Sequence, residues 1–290
     1  MILASFPILR RHAWAPPRPS FFPQGLVMRD SLRERLYSTE AIVLSRLDYG
    51  EADRILVVFT PYRGKVDVIA KGARKAMSRL GPHLDYFARV NLNLTRGRDL
   101  DVVTGVETLD PFIHLRQNLD AYGHACYFVE LVKGLTQPRE EQRDVYDLLA
   151  RSLVLLDDGI GPWVVARHFE MALLHGLGYR PELFACVNCM QEIAAERNSF
   201  SAELGGLLCP RCRNEDPSSI PLSVNAQKYL RTLERAGLAA AARFTPSASE
   251  RLEIQQVTSH YVRHVAEHDF NSLRVLGALQ QATLDPARAS

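Results

Sequence analysis

Four of the five cysteines form two pairs, Cys186-Val-Asn-Cys189 and Cys209-Pro-Arg-Cys212, separated by 19 residues, Met190 to Leu208. Each CxxC turn aims two thiolates at one point, and two such turns supply the four tetrahedral ligands that Zn²⁺ takes at about 2.3 Å. Four cysteines leave no open position for water or substrate, so the expected cofactor is one structural zinc ion rather than a catalytic one. Gly205-Gly206, just ahead of the second pair, gives the chain the freedom to turn there. A thioredoxin-type dithiol would need a βαβ setting that the flanking sequence lacks. The fifth cysteine, Cys126, lies on an apolar helical stripe and reads as core.

A second concentration of chemistry is cationic. In IAKGARKAMSRL, Ile69 to Leu80, Lys71, Arg74, Lys75 and Arg79 fall within nine residues without an acid. From Arg63 to Arg98 there are nine Lys or Arg residues against two acids, Asp67 and Asp85, in a chain whose net charge is only +2. Such a local field favours a polyanion. Gly72 permits close backbone approach, and Ser78 adds a hydroxyl of the kind used on phosphates. Arg63, Lys65, Arg96 and Arg98 come from neighbouring turns and are expected to extend the patch around one barrel rim, with Tyr49, Tyr62 and Tyr86 as stacking aromatics. The expected mode is phosphate-dominated and salt-sensitive. No helix-turn-helix or C₂H₂ spacing supports sequence-specific reading.

Other constellations are weaker. His260, His264 and His268 follow one another along a helix, but Tyr261 stands where an HExxH motif needs its Glu, so a polar helix face is the better reading. Glu51 and Asp53 form a close acid pair beside Arg54; a divalent-metal nuclease built on them is a rival, with fold support preferred. Neither a P-loop, a dinucleotide fingerprint nor GxSxG is present. No enzymatic activity is expected. A zinc-stabilised protein-interaction adaptor is the other alternative.

The elements that must position these residues change type along the chain. Candidate strands are Thr39–Leu47, Arg54–Thr60, Lys65–Ala70, Phe87–Thr95 and Leu100–Val106, separated by Gly- and Pro-bearing turns. Five short strands are most easily stabilised as a small barrel, which pairs every edge. After Asp110-Pro111 the period becomes helical: Phe112–Gly134, Asp144–Asp157, Gly161–Leu177, then beyond a loop-rich cysteine module Val224–Ala236, Ser249–Glu267 and Asn271–Gln281. The expected fold class is therefore α+β and multi-domain. The barrel covers 38–110, the helical domain 111–182 and 217–283, the inserted zinc module 183–216 and a tail 284–290. Residues 1–37, rich in Arg and Pro, are expected to be a disordered extension or a mis-set start, Met28 lying shortly before the first patterned segment. No run of about 18 apolar residues occurs, so no transmembrane helix is expected.

YGEADRILVVFTPYRGKVDVIAKGARKAMSRLG, Tyr49 to Gly81, resembles the N-terminal signature of the bacterial recombination-mediator family RecO. The matching residues are Glu51, Asp53, Thr60, Gly64, Lys71, Gly72, Ala73, Arg74, Lys75 and Ser78. FIHLRQNLDAYGHACYFVELVKGL, LLHGLGYRPEL and the terminal NSLRVLGAL are similar to the family as well. The resemblance covers about Thr39 to Leu279, and the 37-residue leader is foreign to it. It implies an N-terminal OB-fold barrel, a helical domain and a zinc module. It also implies binding of single- and double-stranded DNA, annealing of complementary strands, and partnership with RecR in helping RecA displace single-stranded-DNA-binding protein. That protein's acidic tail would lie in a hydrophobic groove of the helical domain, whose residues the sequence does not place. By the same resemblance Lys71, Arg74, Lys75 and Arg79 would contact DNA phosphates. A cytoplasmic, nucleoid-associated location follows.

Overall fold

The computed structural model describes residues 35–284, and side chains as far as residue 277. Apart from Arg35–Tyr37, the expectation for residues 1–37 lies outside the described residues, and so does the tail beyond Leu284. Five strands, β1 (Leu36–Tyr49), β2 (Asp53–Thr60), β3 (Gly64–Ala70), β4 (Arg89–Thr95) and β5 (Asp101–Asp110), close in the order β1-β2-β3-β5-β4. Every pair is antiparallel except β3 with β5, and the barrel is OB-like. Its interior is filled by one face of each strand, with Val58, Val66, Val68, Val90, Leu92 and Leu94 all buried.

β1 is long because it serves two partners. Its first half pairs with β4 and its second half with β2, and a register shift between Val43 and Ser45 bends it at the changeover. Ala41 and Val43 point into the barrel, whereas Ile42 and Leu44 join the helical core. Residues 41–44 of this strand are therefore buried on both faces, which explains the unbroken apolar run AIVL.

The remaining elements are α1 (Ile113–Gln117), α2 (Leu119–Leu135), α3 (Arg143–Asp157), α4 (Pro162–Gly176), β6 (Asn198–Ser201), β7 (Gly206–Leu208), β8 (Ile220–Leu222), α5 (Val224–Ala241), α6 (Ala248–Ala266) and α7 (Asn271–Leu284). The single helix expected over Phe112–Gly134 is two. Asn118 adopts extended backbone and its side chain accepts from the N–H groups of Asp120 and Ala121, starting a new helix. The strand expected from Phe87 begins at Arg89, since Phe87 is left-handed at φ 66°. The module expected to be loop-rich holds β6 and β7, and β8, just past its expected end at residue 216, completes a three-stranded sheet with β6 in the middle.

In the helical body Phe128 stacks on Phe169 at 4.3 Å, and a buried Arg167–Glu170 pair (2.7 Å) joins Tyr127 of α2 and Thr258 of α6. Such a pair pins helices in register more than it adds net stability. Glu130 of α2 reaches the first turn of α7, where its carboxylate accepts from the N–H groups of Asn271 (3.0 Å) and Ser272 (2.9 Å) and from the Ser272 hydroxyl.

The barrel is held against the helices at the β2–β3 turn. Buried Thr60 closes that turn, its Oγ1 donating to Gly64 O and accepting from Arg63 N. Gly64 is left-handed at φ 52°, and a Cβ there would lie 2.2 Å from Glu140 O. Gly64→Ala is therefore expected to cost roughly 3 kcal/mol, since strain and clash act together. A melting temperature lowered by about 6–12 °C would register that loss, and an unchanged one would refute the close approach.

Candidate nucleic-acid interface and metal centre

The basic segment is not a helix but a chain of turns between β3 and the loop leading to β4. Its anchors lie on the β1–β2 hairpin: Gly72 N donates to Asp53 Oδ1 (2.8 Å), and Arg74 N donates to Ala52 O (2.9 Å). Gly72 is left-handed at φ 67°, which lets its N–H face Asp53. Ser78 Oγ accepts from Leu80 N and Gly81 N, so this hydroxyl shapes the loop. Asp53 thus serves fold support. Among the described residues no set of three metal-ligating side chains includes Glu51 or Asp53.

Arg46 and Arg54, which the sequence reading did not single out as ligand-binding, complete this surface. With Arg74, Lys75 and Ser78 they line an open concavity of about 440 Å³. Asp48 orders two of these cations, lying 3.2 Å from Arg54 Nε and 3.3 Å from Arg74 Nε. Asp85 holds Arg46 at 2.8 Å and Arg116 at 3.2 Å, and the Arg46 guanidinium lies over the Tyr86 ring at 5.1 Å. The side chains of Lys71, Lys75 and Arg79 make no ion pair or hydrogen bond among the described residues, and all three are exposed. Tyr49 and Met77 stand exposed beside them. The sequence signal for Arg46 was slight: one cation in an alternating strand, whose neighbours are revealed only by pairing.

The cations do not form one rim. Arg63, whose N–H donates to Thr60 Oγ1, lies at the opposite end of β2 from Asp53, 4.6 Å from the Tyr37 ring. Arg96 lies 5.9 Å from the same ring, with Arg98 in the exposed turn that follows β4. Seven strand steps separate the two ends, about 23 Å at 3.3 Å per residue. Lys65 is corrected further. Its ammonium donates to Lys133 O at the C-terminal end of α2 (2.5 Å), and burial together with the Lys133 charge lowers its pKa. That contact satisfies a helix-end carbonyl and docks the barrel. Of the expected aromatics, Tyr62 has Arg143 over its ring at 5.4 Å, and Tyr86 is covered by Arg46.

The four cysteines converge. All four Sγ atoms lie within 4.8 Å of one another, and Cys189 Sγ to Cys209 Sγ is 3.8 Å. Tetrahedral thiolates at about 2.3 Å from zinc stand about 3.8 Å apart, so the donor set fits that ion. Burial opposes ionisation of Cys186, but the N–H groups of Cys189, Cys209 and Asn188 outweigh it and hold the thiol at about 6. Asn188 favours the Cys212 thiolate; burial and the three neighbouring thiols override it and push Cys212 up to about 11. Four thiolates in contact repel one another, and a divalent cation relieves that repulsion. The histidine array does not converge: among the described residues the cysteines are the group of three or more potential ligands. Cys126 is half-buried against the helical core, its thiol pushed up by burial and Glu130.

Barrel, helical body and thiol cluster define a class, that of OB-like proteins joined to a helical body with a four-cysteine knuckle pair. Two family models divide the chain between them: "Recombination protein O N terminal" matches residues 34–112 and "Recombination protein O C terminal" matches residues 116–274. The chain belongs to the RecO family, and its role lies in DNA repair and recombination. Similar proteins bear the name DNA repair protein RecO. That of Roseiflexus sp. is 38% identical over 259 residues, covering 89% of this chain and 91% of the relative. Those of Dehalococcoides mccartyi (35% over 248 residues, 86% and 98%) and Symbiobacterium thermophilum (34% over 250 residues, 85% and 99%) follow. Among the described residues no helix is long and apolar enough to cross a membrane.

Proposed function

We propose that the chain is a DNA-binding recombination mediator that binds single- and double-stranded DNA through phosphates, anneals complementary strands, and with RecR helps load RecA onto DNA coated by single-stranded-DNA-binding protein. The observation that carries this reading is the concavity of Arg46, Arg54, Arg74 and Lys75, with unpaired Lys71 and Arg79 on the same loop. Arg46, Arg54 and Arg74 are held by Asp48 and Asp85, so little side-chain entropy is lost when a phosphate docks. Annealing needs no bond chemistry: cations neutralise the repulsion between two strands. In this reading residues 38–110 act as the barrel, 111–182 with 217–283 as the helical domain that meets the acidic tail of single-stranded-DNA-binding protein, and 183–216 as a module held by one structural zinc. The setting is the cytoplasmic nucleoid.

Titration with salt tests the core of this reading. If about five of these cations engage a single strand, log K falls against log[salt] with a slope near −3.5, about a hundredfold between 50 and 200 mM. Binding that is flat across that range would overturn phosphate docking and favour a protein-interaction adaptor.

A further inference from the structure

The cationic surface at the far end of β2 has its own construction. Tyr37 lies among Arg63, Arg96 and Asp101, and its hydroxyl donates to Asp101 Oδ2 at 2.5 Å. Asp101 is buried, and Gly97 N (3.1 Å) and Arg139 (3.8 Å) also approach it. The acid at the centre is thus turned inward and consumed, while guanidiniums are left outermost. Arg143 repeats the pattern on Tyr62, donating to its hydroxyl at 2.8 Å and pairing at 3.9 Å with Asp147. Ordered arginines interleaved with tyrosines suit the phosphates and bases of a nucleic-acid strand.

This surface is not continuous with the loop of residues 71–80. Along the outward face of β2 and β3 the residues between the two ends are Ile55, Val57, Ile69 and Asp67, which are apolar or acidic. The one cation on that face, Lys65 opposite Phe59, already has its ammonium on Lys133 O, and Asp67 beside it would repel a phosphate backbone crossing that wall.

We propose that the Tyr37–Arg63–Arg96 end of the barrel is a second nucleic-acid site, which holds the second strand while the loop of residues 71–80 holds the first. It rests on the phosphate reading of that loop and deepens it: one chain would bring two strands together by carrying them on opposite ends of one barrel. The second site takes single-stranded nucleic acid, since arginines stacked on a tyrosine ring suit the phosphates and unpaired bases of one strand.

The test uses the full chain and two non-complementary oligothymidylates, the first carrying a donor dye and the second an acceptor. First-strand affinity is measured by anisotropy, and capture of the second strand by energy transfer at one chain per first strand. Arg96→Gln/Arg98→Gln alters exposed turn residues and removes one of the two cations on the Tyr37 ring; Arg63→Gln/Arg96→Gln removes both, with thermal melting to check folding. Either variant is expected to leave first-strand affinity within about threefold. Capture of the second strand should fall about tenfold at 0.15 M salt, the loss of two phosphate contacts. Unchanged capture would overturn the proposal. So would an equal fall in first-strand affinity, which would mean that one strand runs over both ends. Lys71→Ala/Lys75→Ala is the control for the underlying reading: if it leaves first-strand affinity unchanged, the loop is not the first site and both readings fall.

Discussion

Cys209→Ser is expected to strip the metal from the chain and to unfold its cysteine module at a cost of at least about 4 kcal/mol. Zinc in isolated knuckles supplies about 10–16 kcal/mol of apparent folding energy, and part of that is retained here by apolar packing. Cys186, Cys209 and Cys212 are buried in the same core as Leu183, Phe200, Leu207 and Leu208. Phe200 in turn meets Tyr261 of α6 edge-on, with ring centroids 5.4 Å apart. Loss of the metal therefore propagates into α6, and the variant should be cut readily by protease between residues 186 and 216. The barrel, whose interior is a separate cluster, should keep its strands. Metal analysis should find about one zinc per wild-type chain and almost none in the variant, and a strong chelator should reproduce the loss of stability. Wild-type chain that purifies without metal, or melts identically in chelator, would sink the assignment.

Lys71→Ala/Lys75→Ala/Arg79→Ala carries the second large effect. These three side chains support no other structure among the described residues, unlike Arg74, which also donates to Gly50 O and pairs with Asp48. Truncating Arg74 would mix loop disorder with lost phosphate contact; truncating the other three does not. Three lost contacts remove about 2 from the slope of log K against log[salt] on a single strand. At 0.15 M salt that corresponds to a loss near fiftyfold, with melting temperature unchanged. A full-strength complex with the wild-type slope would mean that DNA docks elsewhere.

How much of this was legible in the sequence follows from the range of each interaction. The strands were legible because alternation is local: Val90, Leu92 and Leu94 announce an inner face without reference to any partner. The thiol cluster was legible because CxxC geometry resides in each turn. The division of the cations was not. Arg63 and Arg74 are 11 residues apart in sequence, yet β3 runs between them and carries them to opposite ends of the barrel. Only strand direction reveals this. Arg46 was overlooked for the same reason, since Asp85 and Tyr86 reach it through tertiary packing. The break at Asn118 could have been read, because an Asn ahead of Leu-Asp is an ordinary helix start. The apolar spacing on either side of it stays in phase and conceals it.

The carboxylate that starts α7 has a consequence in time. Glu130 and Ser272 are 142 residues apart, so at 5–20 residues per second Glu130 leaves the ribosome's catalytic centre roughly 7 to 28 s before its partners exist. Throughout that interval the flank of α2 that α7 covers stays bare. The chain therefore cannot finish folding as it is made; it closes like a clasp whose catch is forged last. Translation halted short of Asn271 would yield a product with barrel and thiol cluster in place but an uncovered apolar flank, a mark that chaperones and proteases read directly.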